Sequence, residues 1–168
     1  MTLADDIARL KMQEERLRFA HFNEADAWAL GSLMHAEAEA RGLPIAIGIR
    51  HAGRPLFYAA LAGSEADNQH WIRRKSNATL RYHMSSYRYG RQLLLKGEAL
   101  FSERGIEPFD CAAHGGSFPI HVTGTGVIGA VTVSGVPQRE DHNFAVEMAC
   151  RFLGLDYGGL RLPPETAA

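Results

Sequence analysis

The stretch Ile45-Ala46-Ile47-Gly48-Ile49-Arg50-His51-Ala52-Gly53-Arg54-Pro55-Leu56-Phe57-Tyr58-Ala59-Ala60-Leu61 decides the fold. Ile45, Ile47 and Ile49 alternate with Ala46, Gly48 and Arg50, and a period of two is the signature of a strand. Residues 51–55 have the composition of a turn. Residues 56–61 then read as a second strand, most simply paired with the first as a hairpin. Ala46 and Gly48 share one face, and side chains that small let a helix pack closely there.

Working outward, the period changes to that of helices. Leu3, Ile7, Leu10, Glu14 and Leu17 recur at helical spacing over residues 3–19. Asn23 is a candidate N-cap, with Glu24 and Asp26 in the first turn, where the helix dipole favours acids. That second helix runs to about Arg41 with Leu30, Leu33, Met34 and Ala38 on one face, and Gly42 and Pro44 end it. Beyond the hairpin, residues 67–85 form a helix carrying Trp71, Ala78 and Tyr82. Residues 88–96 form another, stopped by Gly97, and a short helix is expected before Gly105. Three strands are expected at residues 109–113, 118–123 and 127–134. A last helix starts after Pro137, with Glu140 and Asp141 in its first turn and Phe144, Met148 and Phe152 as its apolar stripe. Strands joined by tight turns pair antiparallel. The expected architecture is α/β in the α+β sense: one five-stranded antiparallel sheet with helices on both faces. Residues 1–168 read as one domain, with a core at 24–155, a loose tail at 162–168, and the helix at 3–19 as an assembly element ahead of the core.

The 168 residues are 46% hydrophobic and 22% charged, which excludes a disordered chain, a collagen-like fibre and a coiled coil. Eighteen basic and nineteen acidic side chains give a net charge of −1, without the electrostatic footprint of a non-specific nucleic-acid binder. The longest strongly apolar run, residues 127–133, is far below the roughly 20 residues of a membrane helix. The acidic start, Thr2-Leu3-Ala4-Asp5-Asp6, is unlike a signal peptide. Cys111 and Cys150 match neither a metal spacing nor a disulfide framework, and read as reduced thiols. The expectation is a cytoplasmic protein with neither nucleic-acid nor membrane partners.

Gly124-Thr125-Gly126-Val127-Ile128-Gly129 fits G-x-G-x-x-G, but a strand pattern follows it where a dinucleotide site needs a helix. A hairpin turn explains those glycines better. His114-Gly115-Gly116-Ser117 sits between strands; such a run exposes backbone N–H groups that can form an anion-binding concavity, and glycine pairs also mark ordinary tight turns. Arg73-Arg74-Lys75 lies within a helix and spans most of a turn, so one or two of the three can face a pocket while the rest face water. The histidines are scattered, with no H-E-x-x-H and no Cys/His spacing. A lone axial ligand to haem iron leaves no spacing signature. No Gly-x-Ser-x-Gly elbow occurs.

The runs His114-Gly115-Gly116-Ser117-Phe118-Pro119-Ile120, Gly126-Val127-Ile128-Gly129-Ala130-Val131-Thr132-Val133-Ser134-Gly135 and Glu140-Asp141-His142 together resemble the haem-degrading-domain family of GlcG- and HbpS-like proteins. Gly53-Arg54-Pro55-Leu56-Phe57, Asp67-Asn68, Trp71-Ile72, Arg74-Lys75-Ser76-Asn77 and Ser85-Ser86 resemble its branch known as uncharacterised protein family 0303. The resemblance spans roughly residues 24–155. It implies a profilin-like α/β/α layering with five antiparallel strands, homo-oligomers, and relatives some of which bind or degrade haem. Lys75 matches the family's helix lysine, and His114-Gly115-Gly116 and Ser134-Gly135 match its glycine loops. Arg50-His51 stands where many wider-family members carry an aspartate.

These readings converge on a small-ligand site for haem or another planar or anionic molecule, with haem degradation among the implied activities. Its expected binding residues are Arg74, Lys75, His114, Gly115, Gly116, Ser117, Ser134 and Gly135. Trp71, Tyr82 or Phe118 would supply an apolar wall. His114 is the candidate iron ligand or proton-transfer group, the one metal contact expected. Lys75 and His114 are the candidate acid/base pair of an enzyme acting on a small anion. The alternative is a non-catalytic oligomeric interaction module, favoured by the lack of a complete catalytic set.

Overall fold

The computed structural model describes residues 2–99 and 107–165. The elements run α1 (Leu3–Arg16), α2 (Glu24–Ala40), β1 (Ala46–His51), β2 (Arg54–Ala60), α3 (Asn68–Tyr82), α4 (Ser86–Lys96), β3 (Ser117–Val122), β4 (Gly126–Ser134) and α5 (Gln138–Leu153). The strands form one antiparallel sheet in the order β2-β1-β4-β3. Residues 123–125 make the hairpin turn that the glycine motif suggested.

Alternation along β1 settles what each face carries. Ile47 and Ile49 enter the main core with Leu30 and Met34 of α2, Val131 and Val133 of β4, and Phe144 and Met148 of α5. The opposite face is small and polar, and α3 lies on it across β1, β4 and β3. At Gly48 a Cβ would come within 2.7 Å of Ile72 Cγ2, so the missing side chain is what lets α3 settle onto the sheet. Helices therefore cover both faces, as expected. α1 and α2 both start at capping boxes, Thr2 with Asp5 and Asn23 with Asp26.

Four strands are present among the described residues, not five. Residues 109–113 do not pair with the sheet. The Ala112 N–H donates to the Arg74 carbonyl, and the Asp110 N–H to the Glu107 carbonyl. Side chains of α3 take the carbonyls that a strand would have offered: Arg74 Nε donates to Pro108 O at 3.0 Å and Asn77 Nδ2 to Asp110 O at 2.8 Å. The segment is a strap along α3, with Phe109 left exposed. Beyond β3, among the described residues, the sheet is extended only by a parallel bridge from Phe19, whose N–H donates to His121 O and whose carbonyl accepts from Thr123 N–H. The short helix expected before Gly105 falls outside the described residues.

The tail is not loose at Leu162, which is fully buried. Asn143 and Leu162 exchange two hydrogen bonds, Nδ2 to carbonyl at 2.9 Å and N–H to Oδ1 at 3.2 Å. Arg139 Nη1 donates to Pro163 O, and Tyr87 OH donates to Glu165 Oε1 at 2.9 Å. α1 packs on α4 and is spent inside the chain: Leu10 is buried, Gln13 Nε2 donates to Leu160 O, and Asp6 pairs with Arg139. Its inner face is therefore covered by this same chain, whatever its outer face does in an assembly.

Candidate functional site

Lys75 occupies an inward position of α3, flanked by the buried Ile72, Ser76 and Thr79. A lysine in that stripe needs a partner, because an unpaired buried ammonium is costly. The partner comes from the first turn of α5. Lys75 Nζ donates to Asp141 Oδ2 at 2.8 Å and to Val133 O at 3.1 Å, while Asp141 Oδ1 accepts the Val136 N–H at 3.1 Å. Burial pulls the Lys75 ammonium below the ordinary lysine range and pushes the Asp141 carboxyl above its own; their mutual attraction opposes both shifts. Two of the three ammonium hydrogens are used. The third has no acceptor among the described residues.

That ion pair forms part of the wall of a small open cleft of about 270 Å³ at one end of the sheet. α3 contributes Asn68, Trp71 and Lys75; the loop before β3 contributes His114; the end of β4 contributes Ser134, followed by Gly135 and Val136; α5 contributes Gln138 and Asp141. His114 is exposed at the rim, with its ring edge-on to Trp71 at 5.0 Å. Desolvation, then the charges of Lys75 and Arg74, hold its imidazole below the ordinary range, so the ring is neutral at pH 7. Trp71 is fixed by its Nε1–H to Asp67 Oδ2 at 2.9 Å and by the Arg74 guanidinium 4.6 Å over its ring.

Of the residues the sequence singled out, Lys75, His114, Ser134 and Gly135 line this one cleft. Arg74 lies outside the lining, holding Trp71 and the 107–112 strap. Gly115, Gly116 and Ser117 lie buried behind the lining, and two of the N–H groups expected to meet an anion are spent internally. Gly115 N–H donates to Gln138 Oε1 at 3.2 Å and Ser117 N–H to Ser86 Oγ at 3.1 Å. These residues shape the wall instead. Gly116 has φ +127°, and a Cβ there would fall 2.3 Å from Val133 O and 2.8 Å from Lys75 Nζ, so only glycine lets the lysine reach its place. Trp71 is the wall residue. Tyr82 stacks on Tyr89 elsewhere, and Phe118 is in the core on the other face of the sheet. Sequence reasoning missed Asn68, Gln138 and, above all, Asp141, which reads as an ordinary acid at a helix start. The available signal was Lys75 itself, at helical spacing from apolar neighbours. Among the described residues, no group of three or more His, Cys, Asp or Glu side chains is placed to hold a metal ion, and no helix is long and apolar enough to cross a membrane.

Among the described residues, five helices about a four-stranded antiparallel sheet, with a cleft where α3, β4 and α5 meet, define an α+β protein. The model of the haem-degrading HbpS-like proteins matches residues 22–149. A UPF0303 protein of Burkholderia ambifaria is 50% identical over 162 residues, covering 96% of this chain and 98% of that protein. Among solved structures, the Ybr137w protein superposes with a TM-score of 0.78 at 29% identity, covering 88% of this chain and 87% of the other. A PduOC:heme complex superposes with a TM-score of 0.67 at 15% identity, covering 81% and 97%. The chain belongs to the HbpS-like haem-degrading family and, within it, to the UPF0303 proteins.

Proposed function

We propose that the chain binds a small planar or anionic molecule in the cleft between α3, β4 and α5. The observation that carries this reading is the unused third hydrogen of the Lys75 ammonium, on a cation already locked by Val133 and Asp141. A ligand acceptor, such as a carboxylate or carbonyl oxygen, would complete its shell with a charge-assisted bond. Asn68, Ser134 and Gln138 offer further polar groups along the same walls, and the Trp71 ring offers one flat apolar surface. The neutral His114 at the rim is suited to exchange a proton with a bound molecule.

Haem is the ligand that the family description and the PduOC:heme structure bring forward. The residues here do not fit its macrocycle. The cleft is about 270 Å³, a buried ion pair forms part of its wall, and among the described residues Trp71 and Val136 are its only hydrocarbon walls. His114 alone answers to haem chemistry, as a neutral nitrogen ligand. The reading therefore favours a ligand smaller than a porphyrin.

Paired titrations separate the two ligands. Calorimetry with benzoate is expected to show a saturable site that is lost when Lys75→Met and Asp141→Asn are combined. Haemin followed in the Soret region is expected to show no saturable site that depends on His114. A Soret change that saturates at one haemin per chain and is lost in His114→Ala, with benzoate inert, would overturn the preference and assign haem.

A further inference from the structure

We infer a second ligand site on this chain, between the β1–β2 hairpin and the outer side of α3, built for an aromatic carboxylate. α3 lies over β1, β4 and β3 but stops short of β2, which leaves a cavity of about 380 Å³ on that face of the sheet. Its floor follows from the strand register: Tyr58, Gly48 and Thr132 lie side by side across β2, β1 and β4. Directly opposed residues share a face, so Tyr58 and Thr132 flank Gly48, and Ile72 fills the place that a Gly48 side chain would take. Ile72 and the half-exposed Tyr58 ring give the cavity its apolar walls.

Arg50 closes one end. Two residues on from Gly48 in an unbroken register with β4, it shares the face that α3 covers, and its side chain reaches that helix. Nη1 donates to Asn77 Oδ1 at 3.1 Å and to Ser76 Oγ at 3.5 Å, Nη2 to Ala52 O at 2.9 Å, and Nε to His51 O at 3.3 Å. All four acceptors are neutral. Of the five guanidinium hydrogens, one on Nη2 has no acceptor, and the charge has no carboxylate partner, among the described residues. The two other arginines of the lining are already neutralised, Arg54 by Glu24 and Arg73 by Asp110. Among the described residues, no acidic side chain lines the cavity. A half-buried cation fixed by neutral groups, at the end of a cavity walled by Ile72 and Tyr58, matches a ligand with an aromatic body and a single carboxylate. Among the described residues the site shares no lining with the cleft at Lys75, and it stands independently of that reading.

The test is a calorimetric titration of the full chain with 2-naphthoate and with its neutral isostere 2-naphthalenemethanol. A saturable site that depends on Arg50 is expected for the carboxylate, with the alcohol about ten-fold weaker or worse there, as loss of a charge-assisted bond predicts. Arg50→Gln should weaken 2-naphthoate by a similar factor. Tyr58→Glu, which places a negative charge at an exposed rim position without touching Arg50's contacts, should do the same in a chain whose circular dichroism and melting are unchanged. His114→Ala should leave the affinity as it was. The inference is overturned by absence of saturable 2-naphthoate binding, by equal affinity for the alcohol, by binding indifferent to both Arg50→Gln and Tyr58→Glu, or by loss of binding in His114→Ala.

Discussion

Lys75 of α3 and Asp141 of α5 meet at the end of the sheet, Nζ to Oδ2 at 2.8 Å, with side chains only 4% and 2% exposed. The contact joins two helices that lie on opposite faces of the sheet. It is possible because Gly116 has no side chain to occupy the same space. A pair so fully withdrawn from water is a poor source of net stability but an expensive one to break.

Removing one partner should therefore cost more than removing both. Lys75→Met leaves a buried carboxylate and is expected to lower unfolding free energy by about 3–5 kcal/mol. Lys75→Met combined with Asp141→Asn keeps an oxygen for the Val136 N–H and should recover at least half of that loss. Urea denaturation of the four members of the cycle measures it. Additive losses would show that the two groups are not coupled as the geometry implies.

His142 gives a pH dependence of known sign. Its Nε2 lies 2.8 Å from Gln13 Oε1, and because the Gln13 amide nitrogen donates to Leu160 O, the imidazole is the donor in that contact. Its Nδ1 is buried with no partner among the described residues. Burial, then the charge of Arg139, brings the imidazole from 6.5 down to about 3. Below pH 6.5 the unfolded chain takes up a proton that the folded one refuses. Stability from this residue is thus whole above pH 6.5 and falls as pH drops toward 3, at a slope approaching about 1.4 kcal/mol per pH unit. Denaturation curves at pH 7, 6, 5 and 4 should show the slope in the wild type, and His142→Leu should flatten it by close to one proton. An unchanged slope in the variant would assign the acid sensitivity to other groups.

Truncation of α1 is expected to unfold the protein rather than merely dissociate an assembly. Leu10, Leu17 and Phe19 are buried. Glu14 accepts the Ser85 N–H at 2.8 Å and pairs with Arg88 at the start of α4. Asp6 neutralises the buried Arg139, and Phe19 covers the outer edge of β3. A chain lacking residues 1–20 should show no cooperative thermal transition. A folded truncated protein of lower mass by light scattering would return the helix to an assembly role.

The hairpin at 45–61, the helix ends at Asn23, Gly42, Gly97 and Gly154, and the turn at 123–125 were legible because each is a local signal: a period, a cap, or a glycine after a stripe. Residues 109–113 misled because Phe-Asp-Cys-Ala-Ala carries no pattern that distinguishes a strand from a strap. What decided was the side chains of Arg74 and Asn77, more than thirty residues earlier, which claim its backbone carbonyls. The bridge from Phe19 was illegible for the same reason, since its partners lie a hundred residues away. Lys75, His114, Ser134 and Gly135 were found as a cation and two glycine loops. Asp141 was not, because an acid in the first turn of a helix is already explained by the dipole. The buried end of Lys75 gives it a second purpose, visible only once α3 and α5 are brought together.

Trp71 makes the cleft directly observable. The chain has two tryptophans, and Trp28, exposed on α2, can be replaced by phenylalanine to leave a single indole in the cleft wall. In Trp28→Phe, titration with benzoate should change the emission of Trp71 along a saturable one-site curve. That curve should vanish when Lys75→Met and Asp141→Asn are added, with the fold intact by circular dichroism. Emission that never saturates, or a curve unaltered by loss of the lysine, would contradict binding at the Lys75 ammonium.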